Sequence, residues 1–234
     1  MELTGIFSKL YDISEWIMKF MMSNIVWMVF NLPVIYLVIS LFFVKSVQDA
    51  YVLLLAIVIL LPFFTFPATS ALFAIMRLWI KNDESGRLLP NFWRFYKENY
   101  VRSMVGGLFF GIIWFLWIMN VRLATIEFGS ALFYMYTILT VFLFTWTMHF
   151  FSDTIHFTIP FFSSIKKTLF IAIGFIHFTI PLAGATAFIY YFLYQLHPIL
   201  LFLFSVPLTA YTFFFGYHHI VKRALSMDSN IVSN

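Results

Sequence analysis

The sequence predicts an all-α fold: a polytopic membrane helix bundle of six transmembrane helices behind an N-terminal amphipathic interfacial helix. Three observations predict it. Of 234 residues, 62% are hydrophobic and only 10% charged, far from the composition of a soluble domain. Five runs, residues 20–44, 50–76, 103–121, 128–152 and 168–221, contain no Asp, Glu, Lys or Arg and are 25, 27, 19, 25 and 54 residues long. Because one helix needs about 20 apolar residues to cross the hydrocarbon, the first four are single spans and the last is two. The cations between these runs are unevenly shared. With the N-terminus inside, Lys9, Lys19, Arg77, Lys81, Arg87, Arg94, Lys97, Arg102, Lys166, Lys167, Lys222 and Arg223 fall on one side, and only Lys45 and Arg122 on the other. That split of 12 against 2 predicts a multi-pass membrane protein with both termini cytoplasmic.

Taken in order, Ile6, Leu10, Ile13 and Ile17 lie on one helical stripe and Lys9, Asp12, Glu15 and Lys19 on another, the pattern of a helix lying at the membrane surface. The first span is expected near 21–43 and carries Asn24 and Asn31 on one face, where amides seek partners on a neighbouring helix. The second, near 51–78, contains Pro62 and Pro67. Two missing donors within five residues predict a kink or break, a hinge, with Thr65, Thr69 and Ser70 satisfying the freed carbonyls.

Residues 77–103 form a basic, aromatic cytoplasmic connection. A turn at Asn82, Asp83, Ser85 and Gly86 leads to a helical stretch in which Phe92, Trp93, Tyr96 and Tyr100 recur at three or four residues, interleaved with Arg94. Such a helix serves either as an anchor on anionic lipid or as a docking surface for a protein partner. The remaining spans are expected near 104–121, 129–151, 168–194 and 199–220, in one membrane domain covering 1–234. Gly107 and Gly111 form a small-x-x-x-small pair suited to close helix packing.

Several functions are disfavoured. The longest polar stretch is too short for a soluble domain, no phosphate-binding glycine loop occurs, and there is no cysteine for thiolate chemistry. The positive-inside pattern accounts for the basic excess without nucleic acid. His149, Asp153 and His156, spaced four and three apart, share a helical face and are the one polar constellation that could hold a metal or relay a proton. Hydrogen bonding at a helix end, where polar side chains reach water, is the preferred reading, and no metal site is expected. No catalytic serine, histidine and acid pattern is present, so neither an enzyme nor a cofactor is expected.

The amphipathic opening running into Asn24-Ile-Val-Trp27, then Phe66-Pro67-Ala68-Thr69-Ser70-Ala71-Leu72, then Asn91-Phe-Trp-Arg-Phe-Tyr-Lys-Glu-Asn-Tyr100, resembles the YesL-like bacterial membrane proteins, historically a domain of unknown function. The resemblance covers roughly the first half of the chain; beyond Gly107 it is mainly hydrophobic. It implies a protein of the cytoplasmic membrane of Gram-positive bacteria that is an accessory subunit of a carbohydrate ABC importer, with permease subunits and their cytoplasmic ATPase as partners and no established site residues to carry over. The chain differs from such permeases themselves, whose ATPase-docking loop has Glu-Ala-Ala, then Gly, then a distant Leu-Pro; here 151–181 lacks the triplet and brings Gly174 too close to Pro181. An autonomous small-solute transporter with its site near Pro62–Pro67 is the alternative, a membrane metalloenzyme the weaker one. Homo-oligomerisation is compatible with all three.

Overall fold

A computed structural model describes residues 2–83, 86–128, 132–156 and 159–232, and side chains over 8–83, 86–127, 132–156 and 159–223. Ser85, the Ile6 side chain and the expected start of the fourth span at 129–131 lie outside the described residues. The chain forms α1 (Glu2–Phe30), α2 (Leu32–Ser40), a short 3-10 turn (Leu41–Phe43), α3 (Val47–Ile80), α4 (Leu88–Glu98), α5 (Tyr100–Phe128), α6 (Phe133–Thr154), α7 (Phe161–Gly174), α8 (Ile176–Leu196) and α9 (Pro198–Val232). There is no strand among the described residues.

Five helices, α3, α5, α6, α8 and α9, are each long and apolar enough to cross a membrane, and α1 with α2 forms a sixth candidate bent by 79°. Trp16 of α1 packs on Trp79 and Tyr211, whereas Trp27 reaches back to Thr69. The N-terminal half of α1 therefore sits beside the last turn of α3, and α2 leads toward the opposite end, where α3 begins.

Three sequence expectations are corrected. The surface helix and the first span are not separate; α1 runs unbroken through both, and the chain bends at Asn31 instead, where Pro33 opens α2 without a backbone donor. Of the kink or break predicted at Pro62 and Pro67, the break is absent, because α3 continues as one α-helix through both prolines. The fifth span starts later than 168: Pro160 caps a separate helix, α7, which stops at Gly174 before Phe175 leaves helical geometry. The turn after α3 follows from sequence as expected. Asn82 takes φ 54°, Asp83 N–H bonds Leu78 C=O and Asn82 N–H bonds Trp79 C=O, a Schellman ending, and Gly86 takes φ 97°.

The core lies toward one end. From Pro67 to Met76 every residue of α3 is buried, surrounded by α1, α4, α5, α6 and α9, whereas Tyr51, Val52, Leu54, Leu55, Val58 and Ile59 are exposed. Phe73 stacks on Phe151 at 5.6 Å, and Phe92, Phe213 and Phe214 fill the remaining volume. The end with the packed core also carries Lys81 and Lys222 and is called here the basic end.

Gly107 lets α5 reach α3: a β-carbon there would lie 2.8 Å from Pro62 Cα. The expected partner Gly111 meets nothing within 4 Å; instead Gly106 admits the Phe150 ring of α6 into the space a β-carbon would fill. The packing pair is thus two adjacent glycines facing two helices. Ser103 Oγ donates to Ser70 Oγ at 2.6 Å across the same seam. Indole donors inside the bundle are met by threonines on neighbouring helices: Trp27 by Thr69, Trp114 by Thr147, Trp117 by Thr140 and Trp146 by Thr168, at 2.9–3.3 Å. Such pairs satisfy an N–H that hydrocarbon cannot.

Candidate functional site

Asp153 lies in the last turn of α6, where the negative end of the helix dipole disfavours a carboxylate. It is nonetheless fully buried, and donors from three other helices converge on it. Tyr217 Oη of α9 donates at 2.6 Å and Lys167 Nζ of α7 at 2.8 Å, both to Oδ1; Ser164 Oγ of α7 donates to Oδ2. Arg102 of α5 adds an ion pair at 3.6 Å. A buried carboxylate is tolerated when cations and hydrogen bonds replace water, as they do here.

Two arginines grip the chain leaving α6. Arg77 Nη1 donates to Ile155 C=O at 2.5 Å and Arg102 Nη1 to Ile159 C=O at 2.6 Å. Carbonyls at a helix C-terminus lack intrahelical donors, and guanidinium groups supply them.

His149, Asp153 and His156 do share the face that their spacing predicts, but they do not converge. His149 Nε2 lies 3.4 Å from Thr179 Oγ1 on α8, Asp153 is occupied as described, and the His156 ring packs against Phe214, Tyr217 and His218. Among the described residues no group of three or more His, Cys, Asp or Glu is placed to hold a metal ion. The arrangement is a polar tie between helices. Burial, reinforced by Lys81, Arg77, His218 and Lys167, pushes the His156 imidazole down to about 4, so at neutral pH it carries no charge. Lys81 is lowered by burial and then by Arg77.

The α4 residues divide. Phe92 is fully buried against Phe30 at 4.9 Å and cannot dock a partner; it is core. Trp93 is 48% exposed, stacks on Tyr96 at 5.9 Å and carries Lys97 Nζ 5.2 Å above its ring. Tyr100 packs on Tyr96 at 5.5 Å. Arg94 is exposed and paired with Glu98 at 3.9 Å, an i,i+4 pair worth at most about 0.5 kcal/mol. Trp93 and Arg94 therefore face outward, with Tyr96 and Tyr100 half-buried beneath.

Tyr96 has a structural task that the sequence did not disclose. Pro67 cannot donate to Phe63 C=O, and Tyr96 Oη lies 3.4 Å from that oxygen. Burial, then Tyr100, raises the Tyr96 phenol above its ordinary range, which keeps it a donor. The hydroxyls expected there do other things: Thr69 accepts from Trp27, Ser70 accepts from Ser103, and Thr65 Oγ1 has no hydrogen-bond partner among the described residues.

Residues 20–121 match the family model described as "Protein of unknown function, DUF624". This part of the chain is similar to the DUF624 family. The matched residues take in the end of α1, α2, α3 with both prolines, α4 and most of α5, and so contain Arg77, Arg102 and the outward α4 face. Asp153, Lys167 and Tyr217 lie beyond them. Over 228 aligned residues the chain is 27% identical to the uncharacterized protein YteU of Bacillus subtilis (strain 168), covering 90% of this chain and 84% of that protein. The likeness to YteU therefore extends well past residue 121. No solved structure matches the chain.

Proposed function

We propose that the protein is a non-enzymatic membrane subunit that acts by packing against other membrane proteins, and that its partners are the permeases of a carbohydrate ABC importer, whose assembly it assists or regulates. The observation that carries the subunit reading is the outward face of α4. Trp93, half-exposed and held by Tyr96 and Lys97, is a preorganised aromatic of the kind that dominates protein interfaces. The importer as partner rests on the YesL-like resemblance. Purification from the native host in mild detergent tests both: two permease chains are expected to accompany the protein. Trp93→Ala with Arg94→Ala is expected to release them without lowering membrane abundance. A protein that purifies alone overturns the reading, and a double variant that retains its partners removes α4 from it; retention of anionic lipid alone would make α4 an anchor.

One observation favours the transporter alternative. Between α3, α5, α6, α8 and α9 lies a cavity of about 330 Å³ that Thr65, Phe66 and Thr69 line beside Pro67, faced by Thr147, Tyr190 and Thr209. Solute uptake by liposomes containing the purified chain, abolished by Thr65→Val, would make this reading the better one.

A further inference from the structure

The cavity beside Pro67 is polar by residue name and apolar by chemistry. Thr65, Thr69, Trp114, Thr147, Tyr190 and Thr209 line it with hydroxyls and an indole N–H, and no Asp, Glu, Lys, Arg or His joins them. Their polar atoms are mostly spent on the protein itself. Trp114 Nε1 donates to Thr147 Oγ1 at 3.3 Å, and that hydroxyl donates in turn to Leu143 C=O at 2.8 Å. Thr209 Oγ1 donates to Ser205 C=O at 2.7 Å, so in the 2.6 Å contact between Tyr190 Oη and Thr209 Oγ1 the phenol is the donor. Thr69 Oγ1 accepts from Trp27, and Thr65 Oγ1 is shielded from solvent and does not face the cavity. What remains for an occupant is one hydroxyl proton, that of Thr69, and walls of carbon and sulfur from Phe66, Phe144, Met148 and Val206.

That inventory selects the occupant. A water needs two to four polar partners to be held in a protein interior, and one donor does not supply them. A hydrophilic solute would surrender its hydration with nothing to replace it. An unfilled space of about 330 Å³ would forfeit packing on every side. An apolar cavity of about 150 Å³ takes up benzene, so this one has room for roughly a dozen carbon atoms. All its lining residues belong to helices long and apolar enough to span a membrane, and Thr147 lies about 10 Å inside the end of α6. The cavity is open rather than enclosed, and the medium at that depth is hydrocarbon.

We propose that this cavity binds a hydrocarbon chain, the acyl chain of a membrane lipid, and excludes hydrophilic solutes. The site rests on the cavity of the transporter alternative but not on transport, and it is independent of whether α4 docks a permease.

The test uses the full-length protein in nanodiscs containing a trace of phosphatidylcholine with a diazirine in its acyl chain. After illumination, adducts are mapped by mass spectrometry. Adducts are expected on Phe66, Thr69 and Phe144 inside the cavity as well as on Leu116 and Phe188, which are exposed on the outside of the bundle. Val206→Trp places a ring in the cavity and should cut the inside adducts about tenfold while leaving the outside ones unchanged. Should that variant fail to fold, Met148→Trp from the facing helix must show the same selective loss. Inside adducts suppressed by excess n-dodecane assign the chain alone as sufficient; adducts that resist it assign the whole lipid. Outside adducts without inside ones, or equal loss at both places in the filled variant, overturn the proposal, as does suppression of the inside adducts by glucose. Liposome uptake separates this site from the transporter alternative: inside adducts without uptake of any hydrophilic solute keep the site and refute transport, whereas such uptake without inside adducts refutes the site and keeps transport.

Discussion

Tyr217 and Asp153 are 64 residues apart in sequence and 2.6 Å apart in space, phenol to carboxylate, both fully buried. With Lys167, Ser164 and Arg102 on the same carboxylate, this contact fastens α5, α7 and α9 to the end of α6. Hydrocarbon offers helices little hydrophobic reason to associate, so a polar tie in a well-packed end does what area burial does in soluble proteins.

Asp153→Asn should destabilise the bundle by about 3–5 kcal/mol, because it leaves Lys167 and Arg102 without their counter-charge. Tyr217→Phe, which removes one donor and leaves the ion pairs, should cost about 1–3 kcal/mol. Thermal unfolding in detergent ranks them, and a Tyr217→Phe effect as large as that of Asp153→Asn would contradict the charge argument.

The role assigned to Tyr96 makes a coupled prediction. Tyr96→Phe removes the donor to Phe63 C=O and should cost about 0.5–1 kcal/mol, a small value because the bond is long. Pro67→Ala restores a backbone donor to that same carbonyl, so in its background Tyr96→Phe should cost nothing measurable. Additive effects across the double-mutant cycle would show that Tyr96 and Pro67 are unrelated.

Gly107→Ala should destabilise by about 1–3 kcal/mol, since the new β-carbon meets α3 backbone at Pro62, which cannot swing aside. Gly111→Ala meets open space and should be neutral or stabilising by up to about 1 kcal/mol from helix propensity. Equal effects at the two positions would restore the small-x-x-x-small pair expected from the sequence.

These contacts mark how far the sequence could be read. Uncharged run lengths report the hydrocarbon directly, and the spans of α3, α5, α6, α8 and α9 were legible from them. Helix breaks were not, because a proline states only that a donor is missing. Pro67 is accommodated by Tyr96 and Pro62 by packing against Gly107, whereas Pro33 begins a new helix after Asn31; the difference lies in neighbours far away in sequence. Spacing correctly placed His149, Asp153 and His156 on one face, yet the donors that decide what Asp153 does come from positions 102, 164, 167 and 217. One signal was available and unused: polar residues such as Ser164, Lys167 and Thr168 precede Gly174, a pattern that ends one helix before the next span begins.

His156 predicts a pH dependence. Its ordinary value is 6.5 and its value in the fold about 4, so between these the unfolded chain takes up a proton that the folded chain refuses. Stability should fall as pH drops from about 6.5 towards 4, then level off for this group below its folded value. Thermal midpoints over that range should fall less steeply in His156→Gln than in the wild type; parallel curves would show that His156 is not shielded as described.

The arrangement of ends makes the final prediction. Contacts of Trp16 with Trp79 and of His156 with His218 put the start of α1, the end of α3 and the end of α9 at one end of the bundle. The cation split predicts that this end is cytoplasmic, by the positive-inside rule. The chain has no cysteine, so single cysteines report without background. In intact cells an impermeant thiol reagent should label Gln48→Cys and His197→Cys, both exposed at the far end, and should spare Ser8→Cys and Asp83→Cys until the membrane is opened. The reverse pattern would invert the protein without altering the bundle. Labelling of Ser8→Cys together with Gln48→Cys and His197→Cys would mean something more specific: the pair α1 and α2 would be a re-entrant hairpin, five helices would cross, and the packing of Trp16 on Trp79 could not exist as described.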